Sequence, residues 1–219
     1  KRPLIELCPL QYTKDNELVS GYDMKHVSEY AVKFDILGLR TLSVVDMTKK
    51  LTGIDPSEID LEDSSIYEPT QDLRVSKGLF QIGEKTNLRV CKDVASADYS
   101  FNLSHSVSYA SLAAITLFYK FKHPVEFHTS LLNMTVHEQK THKEIREIAN
   151  ELPFFDIKLL PPDINKSDID FKVEDGNIRY GFKAIKNISD KAFSAMLKIK
   201  GAKFENKFEM FDALKQAGL

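Results

Sequence analysis

The stretch from Ser104 to Phe121 restricts the fold more than any other. Its apolar residues, Val107, Ala110, Leu112, Ala114, Ile115, Leu117 and Phe118, surround most of a helical cylinder rather than lining one stripe of it. Such a helix has to be buried on more than one side, so the chain must build a multi-helix unit around it. Ser104 is expected to cap its start. Pro124 stops it and suits the first turn of a second helix, expected at about 124–134. A polar helix rich in His, Lys and Glu is expected at about 137–151.

The flanking sequence is mixed. Residues 1–22 read as loop and short strand, and Asp23 as the cap of a short helix to about Tyr30. Ala31–Leu37 is a short apolar run with one acid, expected as a buried strand. The spacing of Leu42, Val45, Met47 and Leu51 predicts a helix over 41–51, with Gly53 at its C-cap. Residues 54–76 read as an acidic connector, and 83–100 lack a clear period. Phe154–Leu160 is expected as a strand ended by Pro161-Pro162. The runs Asp170–Val173 and Asn177–Phe182, joined by Glu174-Asp175-Gly176, predict a β-hairpin. Two helices, about 189–199 and 206–216, close the chain. The fold class is α+β, mostly helical.

The 219 residues carry a net charge of −2, so the chain is no general polyanion binder. Contact with nucleic acid requires a local basic face. Cys8 and Cys91 form no Cys-x-x-Cys pair, which argues for two reduced buried thiols. No apolar run approaches the roughly 20 residues of a membrane span, and the start lacks the apolar core of a signal peptide. No membrane partner is expected, and the location expected is the cytoplasm.

Several residues invite chemistry. Asp35, at the end of a buried strand, is costly unless it is paired or binds a cation. On spacing alone, helix capping or a salt bridge weighs more than metal binding. Arg74, Lys77, Lys85, Arg89 and Lys92 scatter positive charge around Phe80, a mixture that suits phosphate and base contacts or simply a solvated surface. Asn102, Ser104, His105 and Tyr109 open the long helix, where N–H groups suit phosphate. Lys186 lies in a loop before a helix and can reach a nucleic-acid backbone. His137 and His142, five apart, do not share a helical face, so a histidine metal site is not expected.

The order of these pieces resembles the bacterial replicative DNA polymerases of family C, represented by the DNA polymerase III alpha subunit. Pro9-Leu10-Gln11-Tyr12, Tyr22-Asp23-Met24-Lys25 and Lys33-Phe34-Asp35-Ile36-Leu37-Gly38-Leu39-Arg40-Thr41-Leu42 look like the end of that family's palm. Gly78-Leu79-Phe80-Gln81 is similar to the start of the fingers, and Phe101-Asn102-Leu103-Ser104-His105 to the Phe-Asn-Lys-Ser-His helix, with Leu103 in place of its lysine. Lys120, His123-Pro124, Glu126 and Phe127 continue the likeness. Leu160–Asn165, Arg179-Tyr180-Gly181-Phe182 and Ala184-Ile185-Lys186 resemble the passage into a helix-hairpin-helix region, where Asn187-Ile188-Ser189 replaces Gly-Val-Gly. A long stretch of the fingers is passed over between about Val94 and Ala97. A split or reduced polymerase, or a sequence that skips a segment, fits equally.

The resemblance implies a palm end and connector over 1–76, shortened fingers over 77–152, and a strand, hairpin and helix-hairpin-helix-like unit over 153–219. It makes Asp35 one of three catalytic, metal-holding carboxylates. The metal is Mg²⁺, and another subunit or segment supplies the other two aspartates. Lys77, Lys85, Arg89, Ser104, His105 and Lys186 become the contacts to nucleotide and DNA. The implied partners are primer–template DNA and deoxynucleoside triphosphates, and a sliding clamp is compatible with them. The isolated chain is expected to be inactive. A non-catalytic module that binds DNA or the replisome is the alternative, favoured by Leu103 and Asn187-Ile188-Ser189.

Overall fold

A computed structural model describes residues 3–29, 31, 38–68, 75–81, 103–136 and 141–219. The chain forms two units, residues 1–38 and 39–219. In the first, β1 (Leu10–Tyr12) and β2 (Leu18–Ser20) pair antiparallel, with Leu10 opposite Ser20. Thr13 N–H donates to Glu17 O at 2.9 Å across their connection. Asp23 caps the one-turn helix α1 (Met24–Val27) by accepting from His26 N–H at 3.0 Å. That helix stops three residues short of the expected Tyr30. Cys8 is buried in this unit. The run expected as a strand, with Asp35, lies outside the described residues, as does Cys91.

The second unit begins with α2 (Arg40–Thr52), which ends as expected at Gly53, φ +76°, with the Gly53 N–H on Lys49 O. Over 54–68, the described first part of the acidic connector, carboxylates cap two short turns. Asp55 accepts from Ser57 N–H and Asp63 from Ser65 N–H, each opening a short 3-10 turn. These acids act as caps, which is what short side-chain acceptors do best.

The long helix, α3 (Leu103–Lys122), is buried on more than one face, with Leu112, Ala114, Thr116, Leu117, Tyr119 and Lys120 all enclosed. It begins at Leu103, so Ser104 lies inside the first turn rather than ahead of it. Pro124 opens α4 (Pro124–Thr135), the central helix of the unit. Phe127, Leu131 and Leu132 fill the core around it, each buried side chain of this size contributing about 1.5–3 kcal/mol. Polar side chains survive there because the helix satisfies them itself: Thr129 Oγ1 donates to Val125 O and Ser130 Oγ to Glu126 O. Three helices pack on α4, namely α2, α3 and α5 (Thr141–Ala149), and α5 buries Ile145 and Ile148.

The expected strand over 154–160 is corrected. A 3-10 turn occupies Leu152–Phe155, and only Leu159–Leu160 (β3) is extended. Pro153 sits in the first turn, and Asp156, at φ +56°, closes it by donating its N–H to Leu152 O and Pro153 O. The hairpin forms as predicted between β4 (Lys172–Glu174) and β5 (Asn177–Arg179), with Asp175 and Gly176 both at positive φ. β3 joins β5 in parallel, giving the order β3-β5-β4. Asn133 of α4 ties the sheet to the helices: its Oδ1 accepts from Phe171 N–H and its Nδ2 donates to Phe171 O, at 2.7 and 2.9 Å.

The chain ends in α6 (Asp190–Lys198) and α7 (Lys207–Gln216), close to their expected bounds. Ser189 caps α6 and Asn206 caps α7. Ala195, Ile199 and Leu214 form a small core of their own, joined by Ile164, Met196 and Phe204. No helix among the described residues is long and apolar enough to cross a membrane.

Candidate nucleic-acid interface

Two parts of the second unit carry the groups that the sequence singled out. One is the C-terminal helix pair. From Gly181 onward the chain has eight lysines against four acids, although the whole chain is negative. The loop entering α6 is a 3-10 turn, Phe182–Ala184, followed by Asn187 at φ +64°. Asparagine tolerates this left-handed conformation better than other residues with a Cβ. The turn therefore survives the loss of glycine at 187. Lys186, beside it, is exposed, as are Lys191, Lys203 and Lys207. Lys207 Nζ lies over the Phe208 ring, 5.3 Å from its centre, and Phe208 itself is exposed. Cations and an open aromatic ring side by side suit a nucleic-acid backbone and its bases.

The residues before this loop are structural. Arg179 is buried, gives Nε and Nη2 to the Glu174 carboxylate, and gives Nη1 to Pro161 O at 2.7 Å. The segment after it crosses the stretch before β4 at close range, with Phe182 N–H on Asp168 O and Lys183 N–H on Ile169 O. Lys200 pairs with Asp168, and Lys172 reaches the same carboxylate at 2.9 Å. The hydrogen bond from Lys200 foremost, with Lys172 beside it, holds Asp168 below its ordinary value of 3.8, outweighing partial burial. This contribution to stability is full above pH 3.8 and is lost as acid protonates the folded carboxylate. Asp168→Asn is expected to lower the melting temperature at neutral pH. In strong acid the two proteins should melt together, which thermal scans across the acid range check.

The second part surrounds Lys77. Its ammonium pairs with Glu147 and lies 3.5 Å from Glu144 Oε2, both on α5. Burial pulls the Lys77 pKa down, but the two glutamates outweigh it and hold the group above the ordinary lysine range. Arg40, Thr41, Ser76, Lys77 and Glu144 line a cleft of about 270 Å³ at the start of α2. The Lys77 backbone is held as well. Its N–H donates to Glu151 Oε1 at 2.8 Å, and its carbonyl accepts from Lys120 Nζ. Lys120 is fully buried and gives a second hydrogen bond to Glu151 Oε2 at 2.6 Å. Burial pushes the Lys120 ammonium down to about 8, even with Glu151 beside it. Burial alone would raise Glu151, but adjacent His128, the Lys120 cation and the Lys77 N–H hold it below the usual range.

Of the residues singled out by sequence, the structure thus describes Lys77 in a cleft and Lys186 on the exposed loop. Ser104 and His105 fall in the first turn of α3. Asp35, Lys85 and Arg89 lie outside the described residues. Among the described residues, no group of three or more His, Cys, Asp or Glu could hold a metal ion, so no step through a metal is derived from them. Glu151 escaped sequence reasoning, because its partner Lys77 lies 74 residues away along the chain.

The capped, lysine-rich helix pair at the end of this mostly helical α+β unit lies within a match to the helix-hairpin-helix motif, which covers residues 156–219. The relatives are more specific. The chain is 31% identical to the DNA polymerase III subunit alpha of Aquifex aeolicus over 157 residues, 67% of this chain and 13% of that protein. It is 37% identical to that of Thermus aquaticus over 103 residues, 47% of the chain and 8% of the relative. It is 36% identical to that of Escherichia coli K12 over 117 residues, 52% and 10%. The resemblance read from motif order holds: this chain is similar, in part, to the alpha subunit of DNA polymerase III, and it spans about a tenth of the length of these relatives.

Proposed function

We propose that this chain is the palm-end, fingers and helix-hairpin-helix portion of a family C DNA polymerase, serving templated addition of deoxynucleotides to a primer 3′ end in the bacterial cytoplasm. The observation that carries the reading is likeness to a DNA polymerase III alpha subunit over two thirds of the chain, with the motifs in the family's order. In this reading residues 1–76 end the palm, 77–152 form the fingers, and 153–219 approach duplex DNA. Asp35 is one of the carboxylates that hold Mg²⁺, and the others come from another segment or subunit. Magnesium bound there supplies activation of the primer 3′ hydroxyl and stabilisation of the leaving pyrophosphate. Lys77, Lys85, Arg89, Ser104 and His105 face the phosphates of nucleotide and primer, and Lys186 faces the duplex backbone.

Primer extension by a complex containing this chain tests the catalytic part. Asp35→Asn is expected to lower it by about a hundredfold or more, the scale on which loss of one electrostatic partner of a transition state is felt. Unchanged extension would remove Asp35 from the mechanism. Extension by the isolated chain would contradict the reading that it lacks two carboxylates.

The lysine-rich C-terminal helices favour a second reading, a module that binds DNA without catalysing. Salt titration of duplex binding separates the two. Lys186→Ala is expected to weaken binding equally across sequences and to reduce the salt slope by about 1. Binding that persists without divalent metal, with no extension in any complex, favours the module.

A further inference from the structure

We propose that Lys120 and Glu151 are positioning residues: a buried ion pair that grips the Lys77 peptide groups from both sides and thereby sets the Lys77 ammonium in its cleft. The proposal rests on the reading of Lys77 as a phosphate contact.

A fully buried lysine and a buried glutamate are a poor source of stability. Their desolvation is so costly that apolar residues of similar volume often serve as well or better. What this pair does beyond neutralising itself is therefore informative. Glu151 Oε1 takes the Lys77 N–H, and Lys120 Nζ, besides meeting Glu151 Oε2, gives a hydrogen bond to the Lys77 carbonyl. Both ends of the pair thus converge on one residue, 43 positions from the lysine and 74 from the glutamate.

The residues after Lys77 are pinned in the same way. Phe80 N–H donates to Thr116 Oγ1 of α3 at 3.1 Å, one turn before Lys120. Gly78 has φ +77°, and a Cβ there would stand 2.7 Å from Leu131 Cδ2. His128 completes the surroundings at longer range. Its Nδ1 bonds to Pro124 O, and its Nε2 stands 3.9 Å from Glu151 Oε2, beyond hydrogen-bond reach. Its ring packs on Phe155 at 4.9 Å and walls the carboxylate from that side. With its backbone so held, Lys77 lines the cleft with Arg40, and its ammonium lies against Glu144 and Glu147.

Two measurements on the 219-residue chain test this. The first is amide exchange at Lys77. Glu151→Gln and the apolar double replacement Lys120→Met/Glu151→Leu, which keeps the space filled, are expected to speed it at least tenfold while amides of β4 and β5 stay unchanged. Unchanged Lys77 exchange in both overturns the grip, and so does an equal acceleration at every amide. The second is binding of a primer–template duplex with its matching deoxynucleoside triphosphate. Glu151→Gln is expected to weaken it about tenfold when Lys77 is present and less than twofold in a Lys77→Ala background. Equal losses in both backgrounds mean that Glu151 does not act through Lys77 and overturn the positioning role. A wild-type chain that binds no primer–template sinks the phosphate-contact reading and with it the purpose of the grip, whereas the exchange data still decide whether the grip exists.

Discussion

Lys120→Ala is expected to remove about 3–5 kcal/mol of folding stability, because it breaks a buried pair from one side. The cost is not that of the lost attraction alone. Glu151, itself buried, loses the cation beside it, and the Lys77 carbonyl loses its donor. A cavity the size of the lysine stem opens at this fully buried position of α3. Urea unfolding followed by circular dichroism reads the loss. The double replacement Lys120→Met/Glu151→Leu should recover most of it, since no charge is then stranded. A Lys120→Ala protein as stable as the parent would mean that water reaches Glu151, and the burial argument would fail.

Gly181→Ala is the second large effect. A Cβ at this position would stand 2.4 Å from Asp170 C, 2.6 Å from Phe171 N and 2.7 Å from Ile169 O. All three are backbone atoms, so no side chain can swing away to make room. The two segments must separate, and that breaks the bonds of Phe182 N–H to Asp168 O and Lys183 N–H to Ile169 O. Overpacking with backbone displacement costs roughly 3 kcal/mol or more. Gly53→Ala, with open space around its Cβ, should cost far less, only the strain of a left-handed alanine at a helix end. Denaturant midpoints for the two variants give the comparison. Similar losses at 181 and 53 would show that the crossing at 181 yields more easily than its distances imply.

Much of the secondary structure was legible because its signals are local. Pro124 opening α4, Gly53 closing α2, Asp175-Gly176 turning the hairpin, and Ser189 and Asn206 capping α6 and α7 each act through neighbours within a few residues. The largest misreading, a strand over 154–160, came from an apolar run too short for periodicity to separate strand from helical turn. Pro153 and the left-handed Asp156 decided that segment locally. The candidate site was less legible. Lys77 was visible as a charge beside Phe80, but not as a residue paired to Glu147 and held by Glu151 and Lys120.

By itself, the sequence determined that the chain is mostly helical, several of its caps and its hairpin turn, and that its motif order resembles that of a family C polymerase. These rest on caps, turns and side-chain periodicity, which a few consecutive residues establish. Only the tertiary structure decided that Arg179 serves the hairpin rather than a ligand, that Gly181 marks a backbone crossing, and that Lys120, Glu151 and Lys77 meet. Those outcomes depend on desolvation and close packing between residues tens of positions apart, and neither quantity exists until the helices have come together.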